Sequence, residues 1–124
     1  MLHSEAVPPG TLALLKSLCS HQALDGFALV GGTSLALRFG HRMSVDLDFF
    51  RPEKFDNKII AAALAADFPS FQLTNDNSNG MMAFIEKVKV DFVTYRYPLL
   101  HPYEAIEGVR MMSLQDVVAI SNRG

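Results

Sequence analysis

FALVGGTSLALRFGHRMSVDLDFF, residues 27–50, decides how this chain is read. Phe27 to Val30 is a short, wholly apolar run between an Asp25-Gly26 turn and a glycine pair, the pattern of a central strand buried on both faces. Gly31-Gly32 ends that strand, and Thr33 or Ser34 is placed to cap a short helix through Leu35, Ala36, Leu37 and Phe39, with Gly40 as its stop. SVDLDFF then alternates: Val45, Leu47 and Phe49 point one way, and Ser44, Asp46, Asp48 and Phe50 the other. The expectation is strand, glycine turn, helix, then a second strand with one polar, open face.

Upstream, TLALLKSLCSHQ follows Pro8-Pro9-Gly10 and sets Leu12, Leu15, Leu18 and Cys19 at the spacing of one helix face. Downstream, Asp56 is placed to cap a helix over NKIIAAALAADF that buries Ile60, Leu64 and Phe68. FQLTND and MMAFIEK flank Asn79-Gly80, a turn dipeptide that suggests a hairpin. VKVDFVTY alternates again, with Val88, Val90 and Phe92 inward and Lys89, Asp91 and Val93 on the opposite face. Pro98 and Pro102 mark a loop, VRMM has the character of a short strand, and Ser113 with Asp116 three residues on has the form of a capping box opening a last helix. The total is about four helices around a mixed sheet of four to six strands, an α/β or α+β unit.

Residues 1–124 are long enough for one core and too short for two ordinary domains. No apolar run approaches the roughly 18 residues of a membrane span, and MLHSEAVPPG lacks the basic start and apolar body of a signal peptide, so the expectation is a soluble, cytoplasmic chain without a membrane partner. The single cysteine, Cys19, excludes an internal disulfide and a cysteine-based zinc cage, and its leucine-rich surroundings suit a buried thiol. A net charge of −2 argues against a chain that coats nucleic acid by bulk electrostatics, so a polyanion has to be met locally.

Residues two apart on a strand share a face with alpha carbons about 6.5–7 Å apart, so Asp46 and Asp48 are expected to converge. Close carboxylates stay ionised together only beside a cation, and a hard divalent ion such as Mg²⁺ suits them. Asp91, from a strand able to lie beside theirs, would complete a three-carboxylate site for one or two ions. The plainer alternative is that all three line a solvated sheet face. The glycine pair weighs against it, because a side-chain-free turn leading into a helix N-terminus offers N–H groups to a phosphate. A phosphate cradle joined to a carboxylate pair describes a nucleotide site. It is neither a Walker loop nor a dinucleotide fingerprint, since G-x-x-x-x-G-K-[ST] and G-x-G-x-x-G are both absent.

Gly31-Gly32-Thr33, twelve further residues, Asp46-Leu47-Asp48 and a later Asp91 on a strand resemble the pattern of the nucleotidyltransferase superfamily with the DNA polymerase beta-like fold. More narrowly, VGGTSLALRFGHRMSVDLDFF resembles the AbiEii/AbiGii toxin family, the toxin half of abortive-infection toxin–antitoxin pairs. The resemblance runs from about Phe27 to Asp116 and is specific from the glycines to the aspartates, Arg42 included. It implies Asp46, Asp48 and Asp91 as catalytic metal ligands, and Gly31, Gly32, Thr33, Ser34 and Arg42 as nucleotide-binding. The reaction implied is Mg²⁺-dependent transfer of a nucleoside monophosphate from an NTP to a hydroxyl of RNA, tRNA included, or of protein, with a cognate antitoxin as regulator.

The resemblance also implies a lysine on the helix after Asp116 and further chain beyond the Arg-Gly, whereas DVVAISNRG has no lysine and reads as a shortened or incomplete C-terminus. A degenerate, non-catalytic nucleotide-binding or antitoxin-binding domain is therefore the non-enzyme alternative. A glycosyltransferase, which also uses D-x-D, is disfavoured by the upstream glycines, and a haloacid-dehalogenase-like phosphatase, which wants D-x-D-x-T or V, by Phe50 in the last motif position. Lys89 shares the face of Asp91 and is placed to offset its charge. Arg38 is read as a surface or substrate-rim cation, His41 as a bystander beside the site, and His3, His21 and His101 are too scattered for a metal.

Overall fold

The computed structural model describes residues 2–40, 46–94 and 97–122. Among these residues, seven strands form one mixed sheet, and four α-helices and two 3₁₀ turns pack around it. In chain order the elements are α1 (Pro9–Cys19), β1 (Ala28–Val30), α2 (Gly31–Phe39), β2 (Leu47–Phe50), α3 (Asn57–Asp67), β3 (Gln72–Asn77), β4 (Gly80–Ile85), β5 (Val88–Val93), β6 (Glu104–Ile106), β7 (Val109–Met111) and α4 (Leu114–Asn122). Across the sheet they run β3-β4-β5-β2-β1-β7-β6, with β2/β5 and β1/β7 parallel and the other pairs antiparallel.

The α/β expectation holds, but the sheet has seven strands rather than four to six, because β6 (Glu104–Ile106) forms in the segment read as loop. β4 and β5 turn through Glu86 and Lys87, both at positive φ (52° and 66°), with neither Gly nor Asn to announce it. β6 and β7 turn through Glu107-Gly108, likewise at positive φ. The β3–β4 hairpin exists, but Ser78 and Asn79 make its turn, and Gly80 already pairs with Asn77. A Cβ on Gly80 would lie 2.0 Å from the Phe92 carbonyl oxygen, so strand crowding rather than the turn demands glycine there.

One sheet face is closed by α1 and α3. Leu15 and Leu18 of α1 and Ile60 and Leu64 of α3 pack on Leu29, Leu47, Phe49, Val90 and Phe92. Cys19 is buried there, as expected, and so is Leu14 rather than Leu12. Phe49 and Phe92 are register partners across β2/β5, and their rings stack at 5.7 Å. Burying a side chain of this size contributes about 1.5–3 kcal/mol, enough to pin the strands that carry the intervening aspartates. Asp56 caps α3 through Lys58 N–H at 2.9 Å, as its position implies.

The opposite face is only half open, a correction to the polar, open face expected of β2. Phe50 is fully buried with Tyr97, Met112 and Val117, so α4 covers the β2–β1 side. Ser113 caps α4, its Oγ accepting from Asp116 N–H at 3.1 Å. The carboxylate of Asp116 does not reach back as a capping-box side chain does. It accepts from Leu100 N–H, His101 N–H, the Tyr97 hydroxyl and the Ser113 hydroxyl, tying the proline loop to α4. Burial alone would raise the Asp116 pKa, but these donors outweigh it and hold the carboxyl below its usual range. Among the described residues, no helix is long and apolar enough to cross a membrane.

Candidate active site

β1 passes directly into α2 at Gly31, whose φ is +75°. A Cβ on Gly31 would stand 2.8 Å from Asp48 Oδ2, so glycine is required both by the backbone angle and by the approach of that carboxylate. The N-cap of α2 is Val30, with no side-chain oxygen to offer. Neither Thr33 nor Ser34 is the cap that the sequence suggests, because the helix already begins at Gly31. The first-turn amides of a helix lack intrahelical acceptors, and those of α2 open beside Asp48.

Thr33 is buried, and its hydroxyl donates to the carbonyl of Asp46. This bond fastens the start of α2 to the entrance of β2 and so holds the glycine turn against the D-x-D segment. Ser34 is fully buried, and its Oγ accepts from Arg38 at 2.9 Å, so its side chain braces α2 and does not face the cleft. Arg38 is not the surface cation expected. Its guanidinium also donates to Glu104 and to the Met112 carbonyl, both at 2.7 Å, locking α2 to β6 and to the residue that follows β7. Arg42 and His41 lie outside the described residues.

Asp48 and Asp91 are register partners on the adjacent parallel strands β2 and β5. The sheet therefore brings together two of the three aspartates. Asp46 precedes β2 and is exposed, so the pleat that sets Asp48 does not hold it. Among the described residues no three carboxylate, imidazole or thiol side chains close on a common point; Asp48 and Asp91 are paired, and Asp46 lies near enough for its charge to act on Asp48.

The Asp48 carboxyl is pushed up to about 6. Partial burial is the largest cause, followed by a hydrogen bond with Asp91 and the charges of Asp91 and Asp46, with Lys89 opposing. A carboxyl–carboxyl hydrogen bond needs a proton, and the raised pKa says Asp48 carries it below about pH 6. Lys89 Nζ stands 3.8 Å from Asp91 Oδ2, in keeping with its expected offsetting role.

A cleft of about 240 Å³ opens over this pair, with Val30, Gly31, Asp48 and Asp91 on one side and Val117 and Ile120 of α4 on the other. The α4 wall was not anticipated, although the three-residue spacing of Val117 and Ile120 marks one helix face. Chemically, the cleft presents oxygen donors, helix N-terminal amides and apolar walls, a place where an anionic group and a hard cation can be held together.

The profile of the AbiEii nucleotidyl transferase toxin family, of type IV toxin–antitoxin systems, matches residues 13–119. An uncharacterized protein of Aquifex aeolicus (strain VF5) is 33% identical over 119 residues, covering 89% of this chain and 57% of its own length. The chain thus spans little more than half the length of that curated relative. Among solved structures, a candidate nucleotidyltransferase of Thermotoga maritima superposes with a TM-score of 0.64 at 13% identity, covering 94% of this chain and 86% of its own. ANT(2″)-Ia, solved in complex with adenylyl-2″-tobramycin, superposes with a TM-score of 0.58 at 16% identity, covering 92% and 76%. At such identities the superpositions show a shared fold.

Proposed function

Because the chain belongs to the AbiEii nucleotidyl transferase toxin family, we propose that it transfers a nucleoside monophosphate from an NTP to a hydroxyl of an RNA or protein acceptor, as a cytoplasmic toxin regulated by a cognate antitoxin. The observation that carries this reading is the in-register pair Asp48 and Asp91 beside the Gly31 turn. The α2 amides bind phosphate oxygens, the walls of Val117 and Ile120 exclude water, and Gly31 leaves room for the Asp48 carboxylate beside them. The acceptor oxygen forms a bond to the α-phosphorus as the bond to pyrophosphate breaks, and Asp91 accepts the hydroxyl proton. The donor set fits Mg²⁺: hard carboxylate oxygens on Asp48 and Asp91, with Asp46 nearby, whose mutual repulsion a cation relieves. Bound Mg²⁺ would neutralise charge on the phosphoryl group and the leaving pyrophosphate.

Residues 1–124 are read as a single nucleotidyltransferase-like domain. One observation favours a second reading, a binding domain that has lost catalysis: α4 carries no Lys or Arg, where the resemblance implies a phosphate-binding lysine. Calorimetry with NTPs, with and without Mg²⁺, together with label transfer from α-³²P NTPs to total RNA and protein, separates the two. Binding with transfer supports the enzyme, binding without transfer supports the degenerate domain, and no binding in either condition removes both.

A further inference from the structure

β1 delivers α2 at the same end of the sheet at which β2 and β5 begin. Val30, Asp48 and Asp91 form one row across these strands, through the antiparallel pairing of β1 with β2 and the parallel pairing of β2 with β5. One pleat nearer that end, β5 carries Lys89 on the face of Asp91, since residues two apart on a strand share a face. Leu47 pairs with Val90, so the position opposite Lys89 is that of Asp46, whose carbonyl Thr33 fastens to the start of α2. The D-x-D segment is thereby flanked by the first turn of α2 on one side and by Lys89 on the other.

Lys89 is also a cation that the fold has not spent elsewhere. Arg38, Arg51 and Arg110 each donate to backbone carbonyls and are fixed by them. Lys54 and Lys58 lie with Asp76 beside α3, Lys16 is on α1, and Lys87 is in the β4–β5 turn. Among the described residues, the partner of Lys89 is Asp91, at 3.8 Å, an ion-pair distance too long for a hydrogen bond, and the lysine side chain is 41% exposed. Such a pair is weak and screened, and the flexible four-carbon stem lets the ammonium re-aim its three donors. Its charge already acts on the site, opposing the burial and the neighbouring carboxylates that raise the Asp48 pKa. The α4 wall opposite brings Val117 and Ile120, and α4 carries no Lys or Arg. The structure assigns Lys89 as a phosphate-contacting residue of the cleft: its ammonium pairs with Asp91 in the metal-free protein and turns to the polyphosphate of the nucleotide when Mg²⁺ is held by the carboxylates. The identity of that ligand rests on the transfer reading above. The α2 amides and the Lys89 ammonium then meet the phosphates from the two sides of the D-x-D segment.

The test compares two ligands by calorimetry, Mn²⁺ alone and inorganic tripolyphosphate in saturating Mg²⁺, on wild type and on Lys89→Met, which keeps the apolar stem and removes the charge. Tripolyphosphate affinity should fall about ten-fold or more in Lys89→Met, the loss of a charge-assisted hydrogen bond, and Lys89→Arg should restore it. Mn²⁺ affinity should stay level or rise by up to about five-fold, because a like charge has left the neighbourhood of the bound cation. Lys16→Met, on α1, should change neither, and unchanged melting curves in EDTA would show intact folds. A Lys89→Met chain that binds tripolyphosphate as tightly as wild type overturns this inference and leaves the transfer reading in place. A joint fall in Mn²⁺ and tripolyphosphate affinity also overturns it, since Lys89 would then only hold Asp91 in position. Wild type that binds no tripolyphosphate removes both this inference and the nucleotide reading. Tripolyphosphate binding that depends on Lys89, in a chain that transfers no NTP label, keeps the inference and removes the transfer reading.

Discussion

Asp48→Asn should make the metal-free protein more stable at pH 8, because the carboxylate is held where a charge is unwelcome. Its carboxyl is raised from an ordinary 3.8 to about 6, so between those values the folded chain binds a proton that the unfolded chain releases. The sign follows: stability is full below about 3.8, falls as pH rises, and has lost the whole contribution above about 6. At about 1.4 kcal/mol per pH unit the interval corresponds to roughly 3 kcal/mol at most. Asp48 is partly open to solvent, and screening brings this to about 1–2 kcal/mol. An asparagine never ionises, so in EDTA at pH 8 the variant should melt about 4–8 °C above wild type. The gap should close near pH 4. Mg²⁺ should reverse the order by stabilising wild type through mass action and leaving the variant unmoved. Thermal melts at both pH values, with and without Mg²⁺, provide the check. A variant no more stable than wild type at pH 8, or a gap that persists at pH 4, refutes the electrostatic account of the pair.

Gly31→Ala should cost about 1–3 kcal/mol in urea unfolding, since it places a Cβ against Asp48 Oδ2 at a backbone angle that L residues adopt with strain; an unchanged midpoint would contradict the close approach. Asp116→Ala should cost at least about 3 kcal/mol at pH 7 by stranding the Leu100 and His101 amides. The Asp116 carboxyl is held below its usual range, so its contribution is present above about pH 4 and lost as pH falls through the folded value. The acid limb of the wild-type stability curve should therefore be shallower in Asp116→Asn. Thr33→Val removes the bond to the Asp46 carbonyl and should weaken Mg²⁺-dependent NTP binding by calorimetry more than it lowers the melting temperature.

Much of the fold was legible because the deciding signals are local. The apolar run before Gly31 is β1, Gly40 in the left-handed conformation ends α2, and Asp56 caps α3, each a consequence of residue chemistry within a few positions. What stayed hidden depends on contacts far apart in the chain. Glu86 and Lys87 adopt positive φ only because β4 and β5 pair on either side of them. Arg38 leaves the surface because Glu104 and Met112, some seventy positions on, supply its acceptors. The same holds at the site. Alternation correctly set Asp91 on the polar side of its strand, but only the parallel β2/β5 register makes Asp91, rather than Asp46, the partner of Asp48. Phe50 alternates with the aspartates and yet is buried, because α4 returns across that face.

The most direct test of nucleotidyl transfer is a paired labelling experiment with Mg²⁺, supplying NTP labelled at either the α- or the γ-phosphorus to the protein and total cellular RNA and protein. The account requires α-label to become covalently attached to an acceptor while γ-label leaves as pyrophosphate, with both signals abolished in Asp48→Asn and Asp91→Asn. Attachment of γ-label, or undiminished transfer by either variant, would contradict it.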